Sequence, residues 1–127
     1  MNDVLLGMIL AGITIAIGVC LPTEQMYQLF AILLGVAAGV SIGFAVADRQ
    51  GNEYYLQWAV SLAFIGLALV GLWVSPLILG VAWLLHGGWD LLHHFGIMKT
   101  RIAGWYGALC LIYDITLGSF IITWSAI

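Results

Sequence analysis

The sequence predicts an all-α fold: an integral membrane bundle of five transmembrane helices. Three observations carry that prediction. The chain of 127 residues is 64% hydrophobic and only 7% charged, with a mean hydropathy of +1.13, which leaves too little polar surface for a water-soluble domain. Five apolar runs each reach the roughly 20 residues that a helix needs to cross a bilayer. The runs do not alternate apolar with polar residues as barrel strands do, and a helix is the other way to pair every backbone group in lipid.

The first helix is predicted over about residues 4–21. Asn2 and Asp3 stand where a secretory signal carries basic residues, and the apolar run to Cys20 is too long for a signal peptide, so it reads as a span. Pro22, Thr23, Glu24 and Gln25 break the chain before a second helix over about 26–47. Asp48 to Glu53 form the next break, and a third helix follows over about 54–74. Ser75 is the expected N-cap, and Pro76 the first position, of a fourth helix over about 76–96. Gly96 to Ile102 lead to a fifth over about 103–125. Residues 1–127 read as a single transmembrane domain, without a linker or a soluble portion.

The only basic residues are Arg49, Lys99 and Arg101, too few for a nucleic-acid surface. All three fall in the second–third and fourth–fifth connections, which share one side of a five-span chain. The positive-inside rule places that side, and the N-terminus, in the cytoplasm and the C-terminus outside. Tyr27, Tyr54, Tyr55, Trp58, Trp73, Trp105, Tyr106 and Trp124 fall near span ends, as an aromatic belt at the lipid interface requires. Cys20 and Cys110 sit at different depths and are expected to remain unpaired. Gly35, Gly39 and Gly43 form a small-residue row on the second helix, able to take a close partner: the first helix through Gly7 and Ala11, or a second copy of the chain in a homo-oligomer.

The fourth helix carries the chemistry. His86, Asp90, His93 and His94 recur at helical spacing and cover about 100° of arc. They include every histidine of the chain. Ionisable groups within a span are costly, face the bundle interior and mark function. Trp83 and Trp89 border that face, and Gly87 and Gly88 are expected to allow a kink or the close approach of another backbone. On the fifth helix Tyr106, Cys110, Tyr113 and Asp114 share a face. Antiparallel pairing about a turn near Thr100 brings Asp114 level with His86 and Cys110 level with Asp90. Glu53, Gln57 and Ser61 form a third stripe, on helix three. The expected site is a cytoplasm-facing polar pocket between helices 3, 4 and 5.

Imidazole and carboxylate suit iron, zinc, manganese or copper, while two lone cysteines exclude a thiolate-rich centre. His86 and His94 are about 12 Å apart along the axis and cannot share one ion, so a complete shell needs residues from other helices. The candidate ligands are His86, Asp90, His93, His94, Glu53 and Asp114, with iron or zinc the expected metal. His86, Asp90 and Asp114 are the candidate catalytic groups. Trp83, Trp89, Gln57, Cys110 and Tyr113 are the candidate pocket lining for a hydrophobic, lipid- or isoprenoid-like substrate. Three alternatives stand beside this reading. They are a metal-free acid–base membrane enzyme, a proton-coupled carrier, and a non-catalytic subunit whose polar network only joins helices. The outer half of the bundle carries almost no ionisable residue, which disfavours a carrier.

The string from Gly80 to His94, GVAWLLHGGWDLLHH, resembles the signature helix, W-L-L-H-x-G-W-D-x-x-H-H, of a family of small bacterial polytopic membrane proteins labelled only as a domain of unknown function. Asp114 in the last helix and Glu53 ahead of the third match further acidic positions of that pattern. The resemblance marks Trp83, His86, Gly88, Trp89, Asp90, His93, His94, Asp114 and Glu53, and implies a bacterial inner-membrane location. It implies no activity.

Overall fold

The computed structural model describes residues 2–127, which form five α-helices and no strand: α1 (Asp3–Val19), α2 (Thr23–Ala47), α3 (Asn52–Trp73), α4 (Pro76–His94) and α5 (Gly104–Ala126). The helix ends follow local chemistry. The Asn2 side chain accepts a hydrogen bond from the Val4 N–H at 2.8 Å and caps α1. Ser75 caps α4 through the Leu77 N–H, with Pro76 at the first helical position, as expected. At the other end α4 stops at His94, two residues short of expectation. Gly96 takes φ +74°, its N–H bonds to the His93 carbonyl, and the Ile97 N–H bonds to Leu92. This left-handed closing turn satisfies the last carbonyls, and glycine enters it without strain.

α2, α3 and α5 are long and apolar enough to cross a membrane. α1 is apolar but only 17 residues long. α4 spends part of its 19 residues on the histidines and Asp90.

The helices close a ring in chain order, each packed on its neighbours, with α5 returning to α1. α2 also touches α4 across the ring, where the Trp83 indole N–H donates to the Phe30 carbonyl at 3.2 Å. α3 therefore lies outside the α2–α4 contact and does not pack on α5. The apolar core gathers Met26, Phe30, Leu34, Leu79, Trp83, Leu117 and Ile121. α4 and α5 form the most extensive pair, made close by glycine: a Cβ on Gly118 would lie 2.9 Å from the Gly80 carbonyl oxygen and 2.8 Å from Leu84. Gly7 is buried against the Leu109 backbone of α5, so it is not the partner of the α2 glycine row. A Cβ at Gly35, Gly39 or Gly43 would meet nothing within 4 Å.

The α2–α3 and α4–α5 connections lie together at one end of the bundle. Asp48 accepts from the Arg101 N–H at 2.7 Å, and Glu53 accepts from the Lys99 N–H at 2.8 Å and from both the N–H and hydroxyl of Thr100. The three basic residues thus share one end of the molecule with two acids that hold its loop.

Candidate functional site

α4 brings His86 and Asp90 onto one face because they are four residues apart, and the α4–α5 pairing brings Asp114 to the same level. All three are buried, and each offers a ligand atom within 4.8 Å of the others. His86 Nδ1 lies 2.8 Å from Asp114 Oδ2 and 3.5 Å from Asp90 Oδ2. Metal bonds of about 2.1 Å place neighbouring ligand atoms roughly 3 Å apart, so these spacings suit a shared ion. Gly87 makes room for the arrangement. A Cβ there would stand 3.3 Å from that of Asp114, so any larger residue pushes the acid away from α4. Gly88 faces open space, and α4 runs through both glycines without a break. Of the two expected effects, close approach is the one observed, and only at Gly87.

α3 closes the side of the group away from α5. The Phe64 ring meets the His86 imidazole edge-on, with centroids 4.9 Å apart. Ser61 is buried one turn away, on the same helical face. Its hydroxyl, His86 Nε2 and Asp90 Oδ2 have no hydrogen-bond partner. Unpaired polar atoms in an interior are expensive and call for an ion, a water or a bound group.

The other sequence-predicted residues are distributed around this centre. His93 is half-buried. Its Nδ1–H donates to the Trp89 carbonyl at 2.8 Å, and its Nε2 lies 2.7 Å from Gln57 Nε2, so both ring nitrogens are engaged. His94 is exposed and lies against Gly107. Glu53 is committed to the backbone and hydroxyl of the α4–α5 loop. Among the described residues, only His86, Asp90 and Asp114 form a cluster of ligand-type side chains, a narrower set than the six expected. A crevice too narrow for a water molecule, lined by Ser41, Phe44, Gln57, Asp90, His93, Thr100, Ile102 and Tyr106, lies between Asp90 and that loop.

Asp114 also borders a second space. A cavity of about 310 Å³ lies between α1, α2 and α5, lined by Leu33, Val36, Val40, Leu109, Cys110 and Tyr113 among others, with Trp83 at its back. The expected pocket residues Trp83, Cys110 and Tyr113 line it; Gln57 and Trp89 do not, and the Trp89 ring packs against His93 instead. Tyr106, expected both near a span end and on the polar face of the fifth helix, lines both spaces. Sequence reasoning missed Thr14, whose hydroxyl pairs with that of Tyr113 at 2.9 Å. A lone threonine in the middle of an apolar helix was the available signal. Phe64 gave none, since one phenylalanine among many apolar residues is not distinctive. Cys20 and Cys110 are free thiols.

Comparison with curated proteins and with solved structures finds no match to this chain. Comparison with protein families does: one family model, described as a family of unknown function (DUF6010), matches residues 2–126, nearly the entire chain. The protein with this buried His/Asp group therefore belongs to that family of unknown function.

Proposed function

We propose that this protein is a five-span integral membrane protein that binds a transition metal, iron or zinc, through His86, Asp90 and Asp114 and uses it to act on a hydrophobic substrate. One observation carries the reading. Asp114 belongs both to the buried ligand cluster and to the wall of an otherwise largely apolar cavity of about 310 Å³, so a bound ion and an apolar molecule would meet at one carboxylate. The unpaired Asp90 Oδ2, 3.5 Å from His86 Nδ1, supports it, because an ion shared with that nitrogen would satisfy an atom that otherwise carries a desolvation cost. One nitrogen and two carboxylate oxygens form a harder donor set than cysteine-based centres offer, which favours iron, manganese or zinc over copper(I). The basic end of the bundle would face the cytoplasm by the positive-inside rule. A bacterial inner membrane is the expected location.

Elemental analysis of protein purified without added metal and without a histidine tag tests this reading. A stoichiometric transition metal that His86→Ala removes supports it. Metal far below stoichiometric in the intact protein, and no uptake on titration with Fe(II) or Zn(II), overturns it.

A second reading is favoured by the direct 2.8 Å contact of His86 Nδ1 with Asp114. The pair is a complete acid–base couple as it stands, and proton transfer on the substrate would need no metal. Failure of the metal test with retained dependence of activity on both residues would select it.

A further inference from the structure

The cavity beside Asp114 has a direction. α1 and α2 are joined by a short turn and pack closely only near it, where Gly18 lies against Met26 and Phe30. Away from the turn the two helices separate, and the cavity occupies the gap, with Leu10, Val36 and Val40 at its rim exposed on the outside of the bundle. In a membrane that outside is lipid, so the gap opens sideways into the bilayer and not toward water.

The lining also selects chemistry. No basic residue borders the cavity; its one formal charge is the Asp114 carboxylate, and the remaining polar groups are the Thr14, Tyr106 and Tyr113 hydroxyls and the Cys110 thiol. An anionic head, phosphate or carboxylate, would find no basic side chain in this lining, because the His86 imidazole that faces Asp114 at 2.8 Å lies behind the carboxylate and outside the cavity wall. A neutral head with a hydroxyl would find acceptors in the Thr14–Tyr113 pair at 2.9 Å: the Thr14 hydroxyl donates to the Leu10 carbonyl, so that of Tyr113 donates to Thr14, and both oxygens keep lone pairs for an incoming O–H. The volume is near the lower end of ligand pockets. At about 30 Å³ per water-sized group it holds on the order of ten methylenes.

We infer that this cavity is a binding site for a single-chain neutral lipid, bearing one terminal hydroxyl, that enters laterally between α1 and α2. The inference deepens the proposed function and rests on its membrane placement, but it does not require the metal. The head group passes the Thr14–Tyr113 pair and reaches Asp114, while the chain lies against Leu33, Val36 and Leu109.

Photolabelling in nanodiscs tests it, with a diazirine-bearing C12 fatty alcohol as probe and the C12 fatty acid as control. The expected result is labelling concentrated on cavity residues of α1, α2 and α5. The alcohol should exceed the acid, and Ala37→Trp, which fills the cavity from α2, should lower the signal at least about tenfold. Thr14→Val keeps the size of the side chain and should narrow the preference for alcohol over acid. Labelling spread evenly over lipid-facing positions such as Leu62 of α3, or unchanged by a folded Ala37→Trp variant, overturns the inference. Metal content is measured on the same samples. A filled cavity without metal refutes the metal reading alone, whereas metal retained in Ala37→Trp with unchanged labelling refutes the lipid site alone.

Discussion

His86 Nδ1 and Asp114 Oδ2 meet at 2.8 Å between α4 and α5, both side chains almost wholly buried, with Gly87 providing the space into which Asp114 fits. The contact fixes the register of the most extensive helix pair in the molecule. It also leaves His86 Nε2 free of any partner. A carboxylate in this position sets the tautomer of the imidazole and holds Nδ1 near the spacing that two ligands of one ion adopt.

Asp114→Asn preserves shape while removing the charge. The expected outcome is metal affinity lowered by more than roughly 100-fold, beyond the 10–100-fold loss typical of an outer-shell partner. Thermal stability should fall modestly, because interhelical hydrogen bonds in membranes average about 0.6 kcal/mol. Metal titration and a melting curve on the same preparation check both parts.

The glycines between α4 and α5 should rank by the atoms they face. A Cβ at Gly118 meets the Gly80 carbonyl at 2.9 Å and the Leu84 side chain at 2.8 Å, and backbone has little room to shift. Gly118→Ala should destabilise by about 1–3 kcal/mol, the usual cost of overpacking. At Gly87 the nearest atom is the Asp114 Cβ at 3.3 Å, which requires a displacement of only tenths of an ångström. Gly87→Ala should therefore melt close to the parent yet bind metal more weakly. Equal melting losses for the two variants would contradict this ranking.

The α4–α5 loop should respond to acid through Asp48. The Arg101 N–H, and then the Gln50 side chain, hold the Asp48 carboxyl below its ordinary value of 3.8. A carboxyl lowered in the folded state supports that state above the unfolded pKa, and the support disappears as pH falls through the folded value. The Arg101 amide, corrected for its intrinsic exchange rate, should keep its protection through the ordinary aspartate value of 3.8 and lose it only at lower pH, as the folded carboxyl takes up a proton. Asp48→Asn should abolish that acid dependence while leaving the helices intact.

Much of the architecture was legible because five long apolar runs are separated by short polar or proline-bearing breaks. The Ser75–Pro76 start of α4 and the level pairing of His86 with Asp114 both followed from capping rules and the helical rise. The distribution of the polar residues was not legible. Helical spacing places Glu53, Gln57 and Ser61 on one stripe, but cannot say that Glu53 would be taken up by the backbone of a loop nearly fifty residues away. The cavity was equally hidden, because it arises from the separation of α1 and α2, and two uniformly apolar helices carry no signal of how far apart they pack. Thr14, the polar residue that marks its rim, owes its meaning to Tyr113 on another helix.

The two inward histidines should behave differently, although the sequence presents them alike. His86 has one nitrogen beside two carboxylates and the other without a partner, whereas His93 has one nitrogen on the Trp89 carbonyl and the other facing Gln57 of α3. Ligation by His93 would break one of those bonds. His86→Ala should release the metal and leave Asp90 and Asp114 as adjacent buried acids; loss of one partner from a buried pair costs about 3–5 kcal/mol. His93→Ala should retain the metal and lose only an α3–α4 tie, worth about 0.6 kcal/mol. Gln57→Leu, which removes the same tie from the opposite helix, should match His93→Ala in melting temperature and in metal content. If His93→Ala empties the site while Gln57→Leu does not, His93 is itself a ligand, and the three-residue centre proposed here is incomplete.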